Sequence, residues 1–283
     1  MASGCLRSVC CTWTGWRNAH YHDSEQPLQL DERLCSDWSR AMNVPSAGKK
    51  RLVIVGATGM VGGYALRYAL EHPAIGRATS IGRRELGISH PKLHEVLHQD
   101  FGHCSALTQA LSDQDAAVFC LGTYTGTVPD AQLHAITVDY PIEFARVLRS
   151  SSPDAAFSFL SGSGADPTGR SRMAFARYKG EAENGLRASG VPRLYVFRPA
   201  YIYPVEPRKE PNFSYRVLRG IYPAFRALFP NQVIRADDLA RAMVDVVVSG
   251  TGVAPSMVLE NRDIRALIQS LDAQRDAPAK GRK

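Results

Sequence analysis

The chain has 283 residues, 45% of them hydrophobic, which is ample for one sizeable α/β core. Its net charge of +7 comes from scattered Lys and Arg, so it reads as a solvated surface rather than a nucleic-acid stripe, and no apolar run approaches transmembrane length. The six cysteines lack metal-ligand spacing, which argues against a zinc framework and fits a reducing compartment.

Residues 1–48 differ from the rest of the chain. They hold all three tryptophans and four of the six cysteines, with no steady helical or strand period. There is no apolar core of the kind a secretory peptide needs, and Asp23, Glu25, Asp31, Glu32 and Asp37 are out of place in a mitochondrial transit peptide. The segment reads as a disordered extension with a short helix near Asp31–Met42. Residues 49–272 read as one domain and 273–283 as a frayed tail.

From Lys50 strands and helices alternate, the pattern of a doubly wound parallel sheet. The first strand, Leu52-Val53-Ile54-Val55, stops at a glycine and runs into Gly56-Ala57-Thr58-Gly59-Met60-Val61-Gly62 and then helix-forming sequence. Gly56 permits a tight turn, Gly59 permits close approach of a pyrophosphate, and Gly62 permits close packing of the helix. The positive helix end then faces the phosphates. The Gly-x-x-Gly-x-x-Gly spacing is a weak signal alone, but its strand-to-helix context points to a dinucleotide site. The other reading is a glycine-rich turn that binds nothing.

The second strand, Ala78–Gly82, is followed by Arg83-Arg84. An acid at that place suits a ribose 2′-hydroxyl. Two guanidinium groups suit a 2′-phosphate, which predicts NADP(H) over NAD(H). The third strand, Glu95–Gln99, ends at Asp100-Phe101, an acid and an aromatic suited to flank the adenine; the other reading, a turn cap at Asp100 and core packing of Phe101, is compatible with the first. The fourth, Ala116–Leu121, ends at Gly122-Thr123, where Leu121, Gly122 and Thr123 lie along the cofactor. Cys120 reads as an ordinary buried thiol. A helix follows over Leu133–Ser150, with a kink or an N1 proline at Pro141. The fifth strand, Ala156–Leu160, leads to Ser161-Gly162-Ser163 and a helix over Arg172–Glu183. The sixth, Arg193–Phe197, leads to Arg198-Pro199. Residues 204–232 form a lid region whose stretch Phe213–Phe229 interleaves aromatics and arginines; a membrane-surface helix or a partner face are its other readings. Val233-Ile234, an Asp-capped helix over Arg235–Val244, a strand at Ser256–Leu259 and a last helix from Asn261 or Arg262 complete the chain.

These elements together resemble an atypical short-chain dehydrogenase/reductase. The nearest subgroup is the Tat-interacting oxidoreductase family. The resemblance rests on Gly56–Gly62, Ile81-Gly82-Arg83-Arg84, Phe119–Thr123, Ser163–Asp166, Lys179-Gly180-Glu181, Phe197-Arg198-Pro199 and Leu259-Glu260-Asn261, in order over about residues 51–268. It implies a Rossmann-type fold, NADP(H) binding and hydride transfer on a small carbonyl or hydroxyl substrate. It also implies that Lys179 holds the nicotinamide ribose, that Ser161 or Ser163 orients the substrate oxygen, and that Pro199 passes the carboxamide; the other reading of Lys179 is an exposed helix lysine paired with Glu183 four residues on. The superfamily places a tyrosine four residues before the lysine; here that position is Phe175, which carries no proton. Tyr178 lies roughly 60° further round the helix and a turn along, so it misses the expected point. The phenylalanine keeps a second function open: a non-catalytic NADPH-binding protein that acts through a protein partner. A homodimer and a cytoplasmic or mitochondrial location are further expectations.

Overall fold

A computed structural model of the chain describes residues 48–206, 230–249 and 256–276. The extension 1–47, most of the lid region (207–229) and the end of the tail lie outside the described residues. The elements are β1 (Lys50–Val55), α1 (Met60–Glu71), β2 (Ile75–Gly82), β3 (Leu93–Leu97) and β4 (Ala116–Phe119), then α2 (Asp130–His134) and α3 (Tyr140–Ser151). They continue with β5 (Ala156–Leu160), α4 (Ala174–Ala188), β6 (Arg193–Arg198), β7 (Tyr201–Tyr203), β8 (Val233–Arg235), α5 (Ala236–Ser249), β9 (Ser256–Glu260) and α6 (Asn261–Asp276).

Seven strands form one sheet in the order β3-β2-β1-β4-β5-β6-β9, every neighbouring pair parallel. This is the doubly wound, Rossmann-type α/β fold expected from the alternation of elements. The chain leaves β1 toward β2 and β3, then returns to place β4 on the other side of β1. That reversal opens a crevice at the carboxyl ends of β1 and β4. A short parallel pair, β7–β8, stands apart from the main sheet.

β1 sits centrally because both of its faces are apolar. Leu52 and Ile54 join the core beneath α1, α5 and α6, while Val53 and Val55 join the core beneath α3 and α4. All four are fully buried. The turn out of β1 needs glycine: Gly56 has φ +87°, and a Cβ there would meet the Leu121 nitrogen at 2.8 Å. A Cβ at Gly62 would overlap the Gly56 carbonyl, so the start of α1 closes directly onto the turn.

Several boundaries move. β3 begins and ends two residues before the expected strand, because its register on β2 (Ala78↔Leu93 to Gly82↔Leu97) brings both strands to an end together. His98 then donates to the Gly82 carbonyl at 2.9 Å and Gln99 Nε2 to the Arg83 carbonyl at 2.8 Å, and both are loop residues. The helix expected from Leu133 starts at Asp130. Pro141 sits in the first turn of α3, and the five residues before it, Ala135–Asp139, form a π turn. A proline can neither donate to the carbonyl four residues back nor tolerate it close by, so the coil widens there. Arg235 ends β8 instead of opening the next helix. Asp237 and Asp238 lie inside the first turn of α5, and Asp237 is paired with Arg235 at 2.6 Å. α6 continues to Asp276, so residues 273–276 are helical rather than frayed.

Candidate active site

At the carboxyl edge of β1, β4, β5 and β6 lies a cleft of about 520 Å³. Its floor is Gly59, Met60 and Val61 at the start of α1 and Cys120 to Tyr124 after β4. Its far end is made by Ser161, Gly162 and Ser163 after β5, Phe175 and Lys179 from α4, and Pro199 to Ile202 after β6. The first turn of α1 holds no acidic side chain, and no side chain caps its amide groups. The amides therefore remain available to an anionic ligand.

The far end is assembled by backbone pairing. The Ser161 amide donates to the Phe197 carbonyl at 2.8 Å and the Ser163 amide to the Pro199 carbonyl at 2.9 Å, which continues the β5–β6 ladder past the strand ends. Both serines and Pro199 are thereby set on one wall. Ser161 is buried and Ser163 exposed.

Lys179 is 9% exposed and its Nζ donates to the Leu160 carbonyl at 2.9 Å. The ammonium also lies 5.0 Å from the centre of the Phe159 ring. Burial lowers its pKa to about 8, against the opposing pull of the Glu183 and Cys120 charges. A lysine at this place has two further N–H groups to offer a ligand hydroxyl. Cys120 lines the cleft and is only partly buried, a correction to its reading as a core strand thiol: β4 ends one residue earlier. Desolvation of the sulfur pushes its thiol up to about 12.

The pairing of Lys179 with Glu183 one helical turn on, the alternative role for that lysine, is not what forms. Glu183 is fully buried and turned to Arg198, whose Nη2 lies 2.6 Å from Oε2 and whose Nε lies 2.9 Å from Oε1. Ser161 Oγ donates to Oε1 at 2.6 Å. Arg198 also reaches Glu260 at 2.9 Å. Sequence reasoning missed this network; its one signal is a glutamate on the helix face that already carries a site lysine, since a buried carboxylate needs a cation and hydrogen-bond donors.

Phe175 occupies the tyrosine position and faces the cleft, 36% exposed. Tyr178 does not: its hydroxyl donates to Asp130 at 2.6 Å and its ring stands edge-on to His134. Tyr124 and Tyr201 line the cleft mouth.

The remaining expected residues fall into two groups. Gly56 and Gly62 form the turn beneath the cleft, Thr58 is exposed on the loop, and Arg83 and Arg84 project into solvent just past β2. Asp100 is exposed; it accepts from the Gly102 amide at 2.9 Å and pairs with His103 at 2.8 Å. Phe101 takes its core reading: at 1% exposure its ring packs against His98 and Tyr140 and has no free face for an adenine. Among the described residues no cluster of His, Cys, Asp and Glu is suited to hold a metal ion, and no helix is long and apolar enough to cross a membrane.

Fold and cleft together define the class: a Rossmann-type domain with the fold of the short-chain dehydrogenase/reductases. It superposes on the Bordetella bronchiseptica enzyme WbmH in complex with NAD+ (TM-score 0.56, 17% identity, 82% of this chain and 84% of that one). It also superposes on an oxidoreductase of the short-chain dehydrogenase/reductase family from Burkholderia thailandensis (0.56, 17%, 80% and 98%) and on Gre2 of Candida albicans in complex with NADPH (0.58, 12%, 75% and 78%).

The particular kinship is with two groups of curated proteins. The chain is 26% identical to HTATIP2 of Rattus norvegicus over 226 residues, 79% of this chain and 91% of the relative. It is 28% identical to the mitochondrial protein fmp52 of Aspergillus clavatus over 202 residues, 69% and 85%. It is 29% identical to fmp52 of Emericella nidulans over 157 residues, 53% of this chain and 66% of the relative. The resemblance carried by the motifs therefore stands, since HTATIP2 is the Tat-interacting protein. No family model matches the chain.

Proposed function

We propose that the chain binds NADP(H) in the cleft and transfers hydride to or from a small carbonyl or hydroxyl substrate, as an atypical short-chain dehydrogenase/reductase or epimerase-like enzyme. One observation carries the reading: a single cleft is lined both by the start of α1, where the Met60 and Val61 amides have no side-chain cap, and by Lys179. NADP(H), when bound, supplies or accepts the hydride. Gly59, Met60 and Val61 hold the pyrophosphate, and Leu121, Gly122 and Thr123 lie along its sugar. Lys179 holds the nicotinamide ribose and Pro199 flanks the carboxamide. Arg83 and Arg84 read the 2′-phosphate from just outside the cleft, with Asp100 beside them. Ser161 and Ser163 contact the substrate oxygen. Phe175 moves no proton, so the proton route differs from that of relatives with a tyrosine.

The second reading, a non-catalytic NADPH-binding protein acting through a protein partner or a second copy of itself, is favoured by the phenyl ring at position 175. Calorimetric titration with NADPH and NADH in parallel tests what the two readings share. Tight NADPH and much weaker NADH binding supports both, and binding of neither overturns both. Cofactor turnover with a panel of carbonyls and alcohols then separates them. A cytoplasmic location was expected from the sequence, while the names of the fungal relatives favour mitochondria; fractionation of cells expressing the full chain decides.

A further inference from the structure

The wall that would meet a substrate oxygen has an unusual polarity. Glu183 is fully buried and receives two guanidinium N–H groups from Arg198 at 2.6 and 2.9 Å, with Arg187 Nη2 at 3.7 Å. Both of its oxygens act as acceptors in these contacts. Its 2.6 Å contact with Ser161 Oγ is therefore made with the serine proton. A serine hydroxyl has one proton and two lone pairs, so with that proton committed to Glu183, the Oγ of this cleft-lining residue has only lone pairs left for a further partner.

We infer that Glu183 positions Ser161 as a hydrogen-bond acceptor, so that this end of the cleft selects a hydroxyl-bearing ligand over the corresponding carbonyl compound. A ligand hydroxyl donates to Ser161 Oγ. A carbonyl oxygen there sets lone pair against lone pair and leaves its own acceptor capacity unmet at that contact. Lys179 does not cancel the effect, because its donors serve hydroxyl and carbonyl oxygens alike. Phe175 offers neither donor nor acceptor. In oxidoreductase terms the resting site is built for the alcohol partner of an alcohol–carbonyl pair. The inference rests on the cleft being the cofactor and substrate site.

The test uses the full chain and matched probes: cyclohexanol with cyclohexanone, and 1-phenylethanol with acetophenone. Each alcohol is titrated in the presence of saturating NADPH and each ketone with NADP+, so that neither complex turns over. Affinities are read by ligand-observed NMR. Wild type is expected to favour the alcohol by about tenfold. Ser161→Ala should bring that ratio toward unity, and Ser161→Thr, which keeps the hydroxyl, should preserve it. Glu183→Leu combined with Arg198→Met removes both charges together and frees the serine proton, and is expected to shift the ratio toward the ketone. Should that double variant not fold, the two serine variants still decide. The inference is overturned if cofactor binds but wild type favours the ketone, binds both equally or binds neither, or if Ser161→Ala keeps the full preference. Failure of NADPH and NADP+ to bind at all is a separate result, and it overturns the cofactor reading beneath the inference.

Discussion

The ring of Phe175 fills the space that a side chain on Gly162 would need: a Cβ built on Gly162 lies 2.6 Å from Phe175 Cζ. The two residues come from α4 and from the end of β5, so the contact locks the helix to the cleft wall. It also places the para carbon of the ring, where a tyrosine would carry its hydroxyl, directly against the backbone between Ser161 and Ser163.

Phe175→Tyr therefore tests the missing proton donor in its own geometry. The ring is 36% exposed but its para carbon abuts Gly162, so the added hydroxyl needs a small shift of the ring and a destabilisation of about 1–3 kcal/mol is expected. If the chain is an oxidoreductase limited by proton transfer, turnover of NADPH with carbonyl substrates should rise by about a hundredfold or more. Steady-state absorbance of the cofactor is the measurement. A folded, cofactor-binding variant with unchanged turnover places the limit elsewhere.

Gly56→Ala should cost both stability and cofactor. Alanine at φ +87° is strained, and its Cβ would press on the Leu121 nitrogen at 2.8 Å. Destabilisation of about 2 kcal/mol or more is expected in urea unfolding. NADPH affinity should fall in parallel, since the same turn aims the amides of α1.

Lys179 makes both stability and binding pH-dependent. Its folded pKa of about 8 lies below the ordinary 10.5, chiefly through burial. Between those values the unfolded chain holds the proton and the folded chain has released it, so on this account stability rises with pH across that window. Below about 8 both states are protonated and the burial cost, about 3 kcal/mol, is fully present. The charge on the lysine proposed to hold the ribose is lost over the same range, so on that proposal NADPH affinity should decline above about pH 8. Lys179→Met should flatten both profiles, raise the neutral-pH melting temperature and weaken NADPH by about tenfold.

Arg83→Ala and Arg84→Ala separate the two cofactors. Both side chains are exposed beyond β2, so neither variant should alter the melting temperature measurably. Loss of charge-assisted contacts to a 2′-phosphate should weaken NADPH by about tenfold each and leave NADH unchanged. Equal loss for both cofactors in calorimetry means that the pair does not read the phosphate.

Much of the fold was legible because the local chemistry leaves few choices. Leu52–Val55 is apolar at every position, so it can only be a strand covered on both faces. A glycine at its end can turn where no other residue can. The alternation of such strands with helices dictates parallel pairing, and parallel pairing puts the loops after β1, β4, β5 and β6 on one edge. Ser161, Ser163 and Gly122 were expected at the cleft from their places after strands, and Lys179 and Pro199 from the resemblance; all five line it.

What escaped the sequence depends on neighbours far along the chain. The end of β3 is set by its register with β2, which propensity does not encode. Phe101 looks the same as a rim aromatic or a core aromatic until Tyr140 is seen packed on it. Glu183 reads as the lysine's partner at helical spacing, yet tertiary packing turns it to Arg198 and to Ser161, 22 residues before it. The sequence by itself determined the sheet, the glycine turn and the absence of a proton donor at position 175, because these depend on residue type and short-range spacing. Only the tertiary structure decided that Glu183 stands 2.6 Å behind the Ser161 hydroxyl, because a buried carboxylate takes its partners from whatever donors the fold brings to it.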